Sequence, residues 1–369
     1  MSDISNRMPS VADIMYGNYI RYDRMFEMTK YAFYGKTDSN DVNMFIDLYS
    51  IFKNLYTRGT GITINDSYAI ASCSINLAIH LRAYFDTRHK TSSKIYLIYG
   101  GARPISAMAE FPQYNGKNII MEESNQYMKK LIIDNLEVIR IMVPYLHDIF
   151  AVVDYANEFS TITASIIRKT TSDNQNTVPN IIYSKDDLAY QLVAFCPRTF
   201  LYRPKKANNQ DVSWVVTKST LYDAYRYGQL GLKKQFVTSL NVQAFSVYQA
   251  IAGVKSRNIG STKNGNTTVK LLENAIQNGL FNNGFNLSMD MCAPILSPFS
   301  KMFDGTDVHA VDLIQKFRAI DLNYQTMMYD ATPSSINAFE GLINLYNPQE
   351  IRNINDRYFT MYPLDLNRV

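Results

Sequence analysis

The sequence contains few of the residues from which zinc and redox sites are built. Its 369 residues include three cysteines and four histidines, and no CxxC or HxxxH pair occurs among them. Such pairs are what a zinc site requires, so zinc chemistry is not predicted. Because Cys73, Cys196 and Cys292 lie far apart, we expect buried thiols in a reducing compartment. Any metal would have to be held by carboxylates.

Long apolar runs and a strong net charge are also missing. No apolar stretch approaches the roughly 18 residues of a membrane span, so no membrane partner is predicted. The first ten residues lack the basic and apolar regions of a secretory signal. We therefore expect a cytoplasmic location, in the host cytoplasm or the virion if the chain is viral. The net charge of +4 permits a nucleic-acid partner but does not by itself indicate one.

Aromatic residues, in contrast, are abundant. The chain has 27 tyrosines and 19 phenylalanines but one tryptophan. Such usage is typical of the AT-rich genomes of many viruses and phages, and stacking on nucleobases is the alternative explanation.

Short apolar runs alternate with helical patterns in the first half of the chain. The runs at 42–46, 94–99, 150–153 and 179–183 predict buried strands, and 67–85, 122–146 and 159–167 have helical spacing. This alternation predicts an α/β fold with a parallel sheet flanked by helices.

From residue 217 onward no strand is predicted, and helical patterns cover 218–227, 242–252 and 267–277. We therefore predict a helical lead-in at 1–40, an α/β domain at 41–215, a helical domain at 216–284 and a helical extension at 285–369.

Several motifs recur in an order that resembles the 5′-nuclease superfamily, which includes flap endonucleases and phage 5′–3′ exonucleases. The segments are Asp47 after the first strand, 99–104 (YGGARP), 154–158 (DYANE), 184–188 (SKDDL), 202–206 (YRPKK) and 250–260 (AIAGVKSRNIG). The resemblance covers about residues 42–280. It implies a PIN-like α/β fold followed by a helix–turn–helix module that grips duplex DNA, with 265–272 as part of that module.

The resemblance also implies a carboxylate site for two divalent ions. Asp47 stands at the family's first metal ligand, and Asp187 stands at the second Asp of its Asp-x-Asp pair. Glu158 matches the Glu that opens the family's Glu-Ala-Asp-Asp helix, and Asp186 restores one more ligand if the register shifts. Residual catalytic residues would thus be Asp47, Glu158, Asp186 and Asp187, with Asp47 and Asp187 as metal ligands and Mg²⁺ or Mn²⁺ as cofactor if the chain is catalytic.

The other family carboxylates are replaced. The residues at their places are Gly100, Ser160, Thr161, Lys185, Val254 and Arg257. A lysine or arginine among a few remaining carboxylates neutralises them by direct pairing and competes with metal binding. A helix cap is the alternative role for Asp47 and for Asp186–Asp187.

A Gly-rich turn and a basic cluster are the predicted nucleic-acid contacts. Backbone N–H groups of such turns, supported by Lys and Ser, suit phosphate oxygens. The turn residues are Lys255, Ser256, Arg257, Asn258, Gly260, Ser261, Lys263 and Gly265, and the cluster is Arg203, Lys205 and Lys206. An ordinary helix–helix turn and a solvated loop are the respective alternatives.

These observations predict a non-catalytic 5′-nuclease-like protein of a virus or phage that binds DNA or RNA without sequence preference or has a structural role. An active metal-dependent 5′ nuclease is the first alternative. The second is a virion-assembly or protein-interaction component, with protein partners bound through 1–40 or 285–369.

Overall fold

The computed structural model describes residues 41–57, 68–89, 93–114, 126–173, 178–203, 206–207, 210–211, 214–225, 242–260, 306–331, 342, 345–360 and 363–369. The predicted lead-in at 1–40, the predicted helix at 267–277 and the second half of the predicted helix–turn–helix module lie outside these residues.

The described strands form one main sheet and one small hairpin whose two strands have two residues each. The strands are β1 (Val42–Asp47), β2 (Ser93–Gly100), β3 (Ile149–Asp154), β4 (Asn180–Tyr183), β5 (Thr199–Arg203), β6 (Lys206–Ala207), β7 (Gln210–Asp211) and β8 (Trp214–Val216). The main sheet has the order β3-β2-β1-β4-β5-β8. Strands β1 to β5 are parallel and β8 is antiparallel at the edge, which confirms the predicted parallel sheet.

Helices connect the parallel strands and make up most of the described residues after β8. They are α1 (Leu48–Thr57), α2 (Ala69–His89), α3 (Ile105–Glu110), α4 (Gln126–Met142), α5 (Phe159–Asp173), α6 (Ala189–Phe195), α7 (Leu221–Tyr225), α8 (Phe245–Ala252), α9 (Thr306–Ile320), α10 (Leu322–Asp330) and α11 (Pro348–Tyr358). Helices α9, α10 and α11 lie within the segment 285–369 that was predicted as a helical extension, and the bounds of the predicted domains stay a prediction.

Two strands of the main sheet were not predicted. Strand β5 contains Arg203, which the sequence analysis assigned to a basic cluster for nucleic acid with a solvated loop as the alternative, and β8 contains Trp214. Tyr202 is buried and stacks on Tyr183 of β4, with ring centroids 5.8 Å apart. The basic cluster therefore begins inside the sheet.

Side chains alternate between the two faces of the sheet along each strand, and helices cover both faces at the sheet centre, so both sets of side chains are buried. Met44 and Ile46 pack in one buried cluster with α1, α2, α4 and α11, whereas Phe45 belongs to the buried cluster that contains α5 to α10. Phe45 stacks on Tyr96, and Tyr96 stacks on Phe150, with centroid distances of 4.8 and 5.2 Å. This row of rings joins three neighbouring strands.

None of the helices that the structure describes combines the length and the apolar composition that a bilayer span would need.

Candidate functional site

The carboxyl ends of the parallel strands bring the predicted carboxylates to one edge of the sheet. The strand order reverses between β1 and β4, and open α/β sheets place their sites at such a switch point. Asp47 ends β1, and Ser184 directly follows β4. Glu158 precedes α5, and Asp186 and Asp187 precede α6.

Asp47 is engaged by hydroxyl and amide donors. Its carboxylate accepts hydrogen bonds from the Ser50 backbone N–H (3.2 Å), from Ser50 Oγ and from Ser184 Oγ (2.7 Å). Burial raises the pKa of Asp47, and the hydroxyl donors offset part of that shift. The structure thus places Asp47 as the buried cap of α1, the alternative role given for it above.

Arg257 joins two of the candidate carboxylates. Its Nε lies 2.9 Å from Glu158 Oε1, and its Nη2 lies 2.6 Å from Asp186 Oδ2. Tyr114 donates its hydroxyl to the other oxygen of Glu158 at 2.7 Å. Burial alone would lower the pKa of Arg257, but the two carboxylates hold it well above its ordinary value. Arg257 is therefore a permanent cation inside the carboxylate group, as expected for direct pairing.

Asp187 is paired with a second arginine. Arg203 at the end of β5 donates Nη2 to Asp187 Oδ1 and Nη1 to the Asp186 carbonyl oxygen (2.9 Å). Ser256 Oγ donates to Asp187 Oδ2 at 2.7 Å. Both carboxylate oxygens of Asp187 thus have donors. Lys185, the other cation at a family carboxylate position, donates its backbone N–H to Ser50 Oγ at 3.0 Å.

The charges of the three arginine-paired carboxylates and their two arginines nearly cancel without any ion. Glu158, Asp186 and Asp187 supply three carboxylates against the two guanidinium groups of Arg203 and Arg257. Burial raises the pKa of Glu158 to about 7, although Arg257 opposes the shift. Protonation of Glu158 would make the cluster neutral.

The residues present do not fit a two-metal site. Such a site needs several carboxylates with free oxygen lone pairs around a shared volume. Here the carboxylates already accept from arginine, serine or tyrosine donors. Across the described ranges, no three or more His, Cys, Asp or Glu side chains are grouped so that they could hold a metal ion.

Two glycines allow the loop after β3 to pack directly on the end of β2. A Cβ atom at Gly100 would lie 2.1 Å from the Phe159 backbone nitrogen, and one at Gly101 would lie 1.9 Å from the Tyr155 carbonyl oxygen. The Gly101 N–H donates to the carbonyl oxygens of Asp154 and Asn157, both at 2.9 Å. Position 100, where the resemblance implies an aspartate, is thus closed to any side chain.

The predicted nucleic-acid turn is only partly within the described residues. Lys255 to Arg257 form one 3₁₀ turn, which the Val254–Ile259 bridge closes. Lys255 and Gly260 are exposed, whereas Asn258 donates its side-chain amide to the Gln113 carbonyl oxygen at 3.1 Å. Ser261, Lys263, Gly265 and Lys205 lie outside the described residues, and Lys206 lies in β6.

The sequence analysis did not place Arg203, Tyr114 or Ser184 beside the carboxylates. It assigned Arg203 to nucleic acid and gave Tyr114 and Ser184 no role of their own. The available signal was position, because Arg203 and Ser184 both stand at the carboxyl ends of neighbouring parallel strands.

The raised pKa of Glu158 predicts a pH-dependent stability. The unfolded chain releases this proton near the ordinary pKa of 4.5, and the folded chain releases it near 7. The folded state therefore holds more protons between these values, so the free energy of unfolding should fall as pH rises from about 4.5 to about 7. Urea unfolding at several pH values should show a shallower fall in Glu158→Gln than in wild type. Glu137→Gln, at an exposed glutamate, should retain the wild-type slope, and a wild-type slope in Glu158→Gln would contradict the prediction.

Comparison with known proteins gives matches at the level of structure only. No protein-family model and no curated protein sequence matches the chain. The bacteriophage T5 flap endonuclease, in a pseudo-enzyme–product complex with DNA and metal ions, has 12% identity and a TM-score of 0.46, and the match covers 86% of this chain and 100% of that chain. The zinc-bound T5 5′-exonuclease has 11% identity and a TM-score of 0.45, with 86% and 98% covered.

A further match is the catalytic core of Rad2 in complex with DNA substrate. It has 9% identity and a TM-score of 0.41, and the match covers 92% of this chain and 94% of that chain. These likenesses concern the overall fold, and no residue role is transferred from them.

Proposed function

We propose that this chain is a non-catalytic relative of the 5′-nucleases that binds nucleic acid without reading its sequence. The observation that carries the proposal is the pairing of Arg257 with Glu158 and Asp186, together with that of Arg203 with Asp187. In the sequence resemblance Asp187 corresponds to a metal ligand, Glu158 to a further catalytic carboxylate, and Asp186 to one more ligand if the register shifts. Here fixed guanidinium groups supply the positive charge that bound cations would otherwise provide.

A hydrolytic role would require these pairs to open. Each carboxylate would have to lose a charged or hydroxyl donor in a largely buried setting before it could ligate an ion. Leaving a buried guanidinium without its partner is strongly unfavourable. The packed backbone at Gly100 also leaves no room for the further aspartate that the resemblance implies at that position.

Nucleic-acid binding is supported by what remains exposed beside this cluster. Lys255 lies on the 3₁₀ turn that follows α8, and exposed Gly260 follows two residues after Asn258. The exposed Lys255 offers one cation to phosphate oxygens, whereas the N–H groups of Arg257, Asn258 and Ile259 donate to carbonyl oxygens within the turn. Ser261, Lys263, Gly265, Lys205 and Lys206 stay predicted nucleic-acid contacts. Arg203, Ser256 and Arg257 face the carboxylates, so we assign them to holding the turn in place.

A labelled 5′-flap duplex tests both parts of the proposal. With and without Mn²⁺ or Mg²⁺, we expect no cleavage and a mobility shift that weakens steeply as salt rises. Cleavage that Asp187→Ala abolishes would contradict the proposal and identify an active nuclease. Absence of both cleavage and shift would contradict nucleic-acid binding and favour the structural role.

A pair of lysine variants locates the binding surface. Lys255→Ala should weaken the shift and lower the salt slope by about one unit, because one phosphate contact is lost. Lys94→Ala is the matched control, since Lys94 is an exposed lysine at the amino end of β2, on the opposite edge of the sheet. Equal effects of the two substitutions would place binding away from the turn.

A further inference from the structure

The helical hairpin α9–α10 lies outside the segment that resembles the nucleases, yet it packs into the body of the protein. Leu313, Phe317 and Tyr329 are buried in the core that also contains α5 and α8. Asp330 accepts from Ser165 of α5, and Asn323 accepts from Arg168 of α5 at 3.0 Å. The hairpin is therefore an integral layer of the fold.

An outer chain of contacts leads from the hairpin to the carboxylate cluster through α3. Tyr324 of α10 donates its hydroxyl to Glu110 at 2.6 Å, and Ser106 donates to Gln325. The turn that follows α3 continues to Gln113, which accepts from Asn258, and to Tyr114, which donates to Glu158. Segment 105–114 thus bridges the hairpin and the turn at 253–260.

An inner chain of contacts leads to the same turn through two buried glutamines. Gln191 Nε2 donates to the Ile320 carbonyl oxygen (2.8 Å) and to Gln249 Oε1 (2.7 Å), and Gln191 Oε1 accepts from the Leu322 N–H (2.8 Å). Gln249 Nε2 then donates to the Asp187 carbonyl oxygen at 2.9 Å. Asp187 in turn accepts from Ser256 of the turn.

From these two chains of contacts we infer that the α9–α10 hairpin positions the turn at 253–260, with Gln249 and Tyr324 as its positioning residues. The outer chain of contacts ends on Asn258 and the inner one on Ser256, so the turn is held on both sides of Arg257. This inference gives the hairpin a role in the proposed binding surface. It rests on the proposed function only for what the turn binds.

Amide hydrogen exchange of the full chain, without nucleic acid, tests the inference. In Gln249→Met, peptides covering 253–260 should exchange about fivefold faster, since about one net hydrogen bond is lost. Gln349→Met, at an exposed glutamine of α11, is the matched control and should leave these peptides unchanged. A uniform rise in the exchange rate over all peptides, including those of α2, would overturn the inference, because Gln249 and its partner Gln191 would then contribute to the stability of the whole core.

A second variant keeps the test independent of any folding defect in the buried glutamine variant. Tyr324→Phe removes one partly exposed hydroxyl and should speed exchange of 105–114 while α2 is unaffected. Unchanged exchange of 105–114 would overturn the outer chain of contacts.

Binding assays form a separate arm. If wild type binds the flap duplex, Gln249→Met should weaken binding severalfold and Gln349→Met should not. Absence of wild-type binding would overturn the proposed function alone and leave the exchange result valid.

Discussion

Replacing Arg257 with alanine is expected to lower the free energy of unfolding by about 3–5 kcal/mol, because it leaves Glu158 and Asp186 without their cation in a buried site. Tyr114 and the backbone N–H of Leu188 would remain as donors, but neither carries a charge. Urea unfolding at pH 8 measures the loss. The loss should shrink at lower pH, where protonation removes the unpaired charge of Glu158.

The control for this prediction is an arginine–glutamate ion pair on the surface. Arg140 and Glu137 are about half exposed and lie 3.2 Å apart on α4. Arg140→Ala should change the free energy of unfolding by no more than about 0.5 kcal/mol. A loss below about 1 kcal/mol in Arg257→Ala would show that the buried carboxylates do not depend on this guanidinium group.

Gly101→Ala is expected to destabilise the fold by about 3 kcal/mol or more, since the added Cβ would meet the Tyr155 carbonyl oxygen at 1.9 Å. The contact is with backbone, so no side-chain rotation relieves it. Gly100→Ala should act in the same way through the Phe159 nitrogen. Thermal or urea unfolding of the purified variants checks both.

Gly260 supplies the matched control for the glycine substitutions. Nothing lies within 4 Å of a Cβ built there, so Gly260→Ala should stay within about 0.5 kcal/mol of wild type. If Gly101→Ala were as stable as Gly260→Ala, the close packing of the 154–159 loop on β2 would be wrong.

Local patterns were enough to predict the centre of the sheet but not its far edge. Strands β1 to β4 are apolar runs bounded by Asp, Gly or polar residues, which are strong strand signals. Strand β5 is a run of five residues, TFLYR, between Pro197 and Pro204, and the sequence analysis considered only its basic end at Arg203. Its strand conformation depends on pairing with β4 and β8, which no local pattern reveals.

The sequence predicted where the candidate carboxylates lie relative to the strands, but not which donors contact them. Asp47 was placed correctly at the end of a strand because an apolar run precedes it. The hydrogen bond that Asp47 accepts from Ser184 joins residues 137 positions apart in the sequence, and the bond between Arg257 and Asp186 joins residues 71 positions apart. The identity of a buried carboxylate's donor depends on such long-range packing, so Arg203 was assigned to nucleic acid although it faces Asp187.

The bonds of Gln191 also bear on the order in which the protein is assembled during synthesis. They join residues 129 and 131 positions apart, so they cannot form until the chain has been made past Leu322. Because translation proceeds from the amino terminus, the sheet and its carboxylate cluster emerge from the ribosome well before the hairpin. A nascent chain that ends near residue 300 would carry Lys255 and Arg257 without the hairpin that holds their turn. On the inference above, a fixed binding surface is therefore a property of the nearly finished chain.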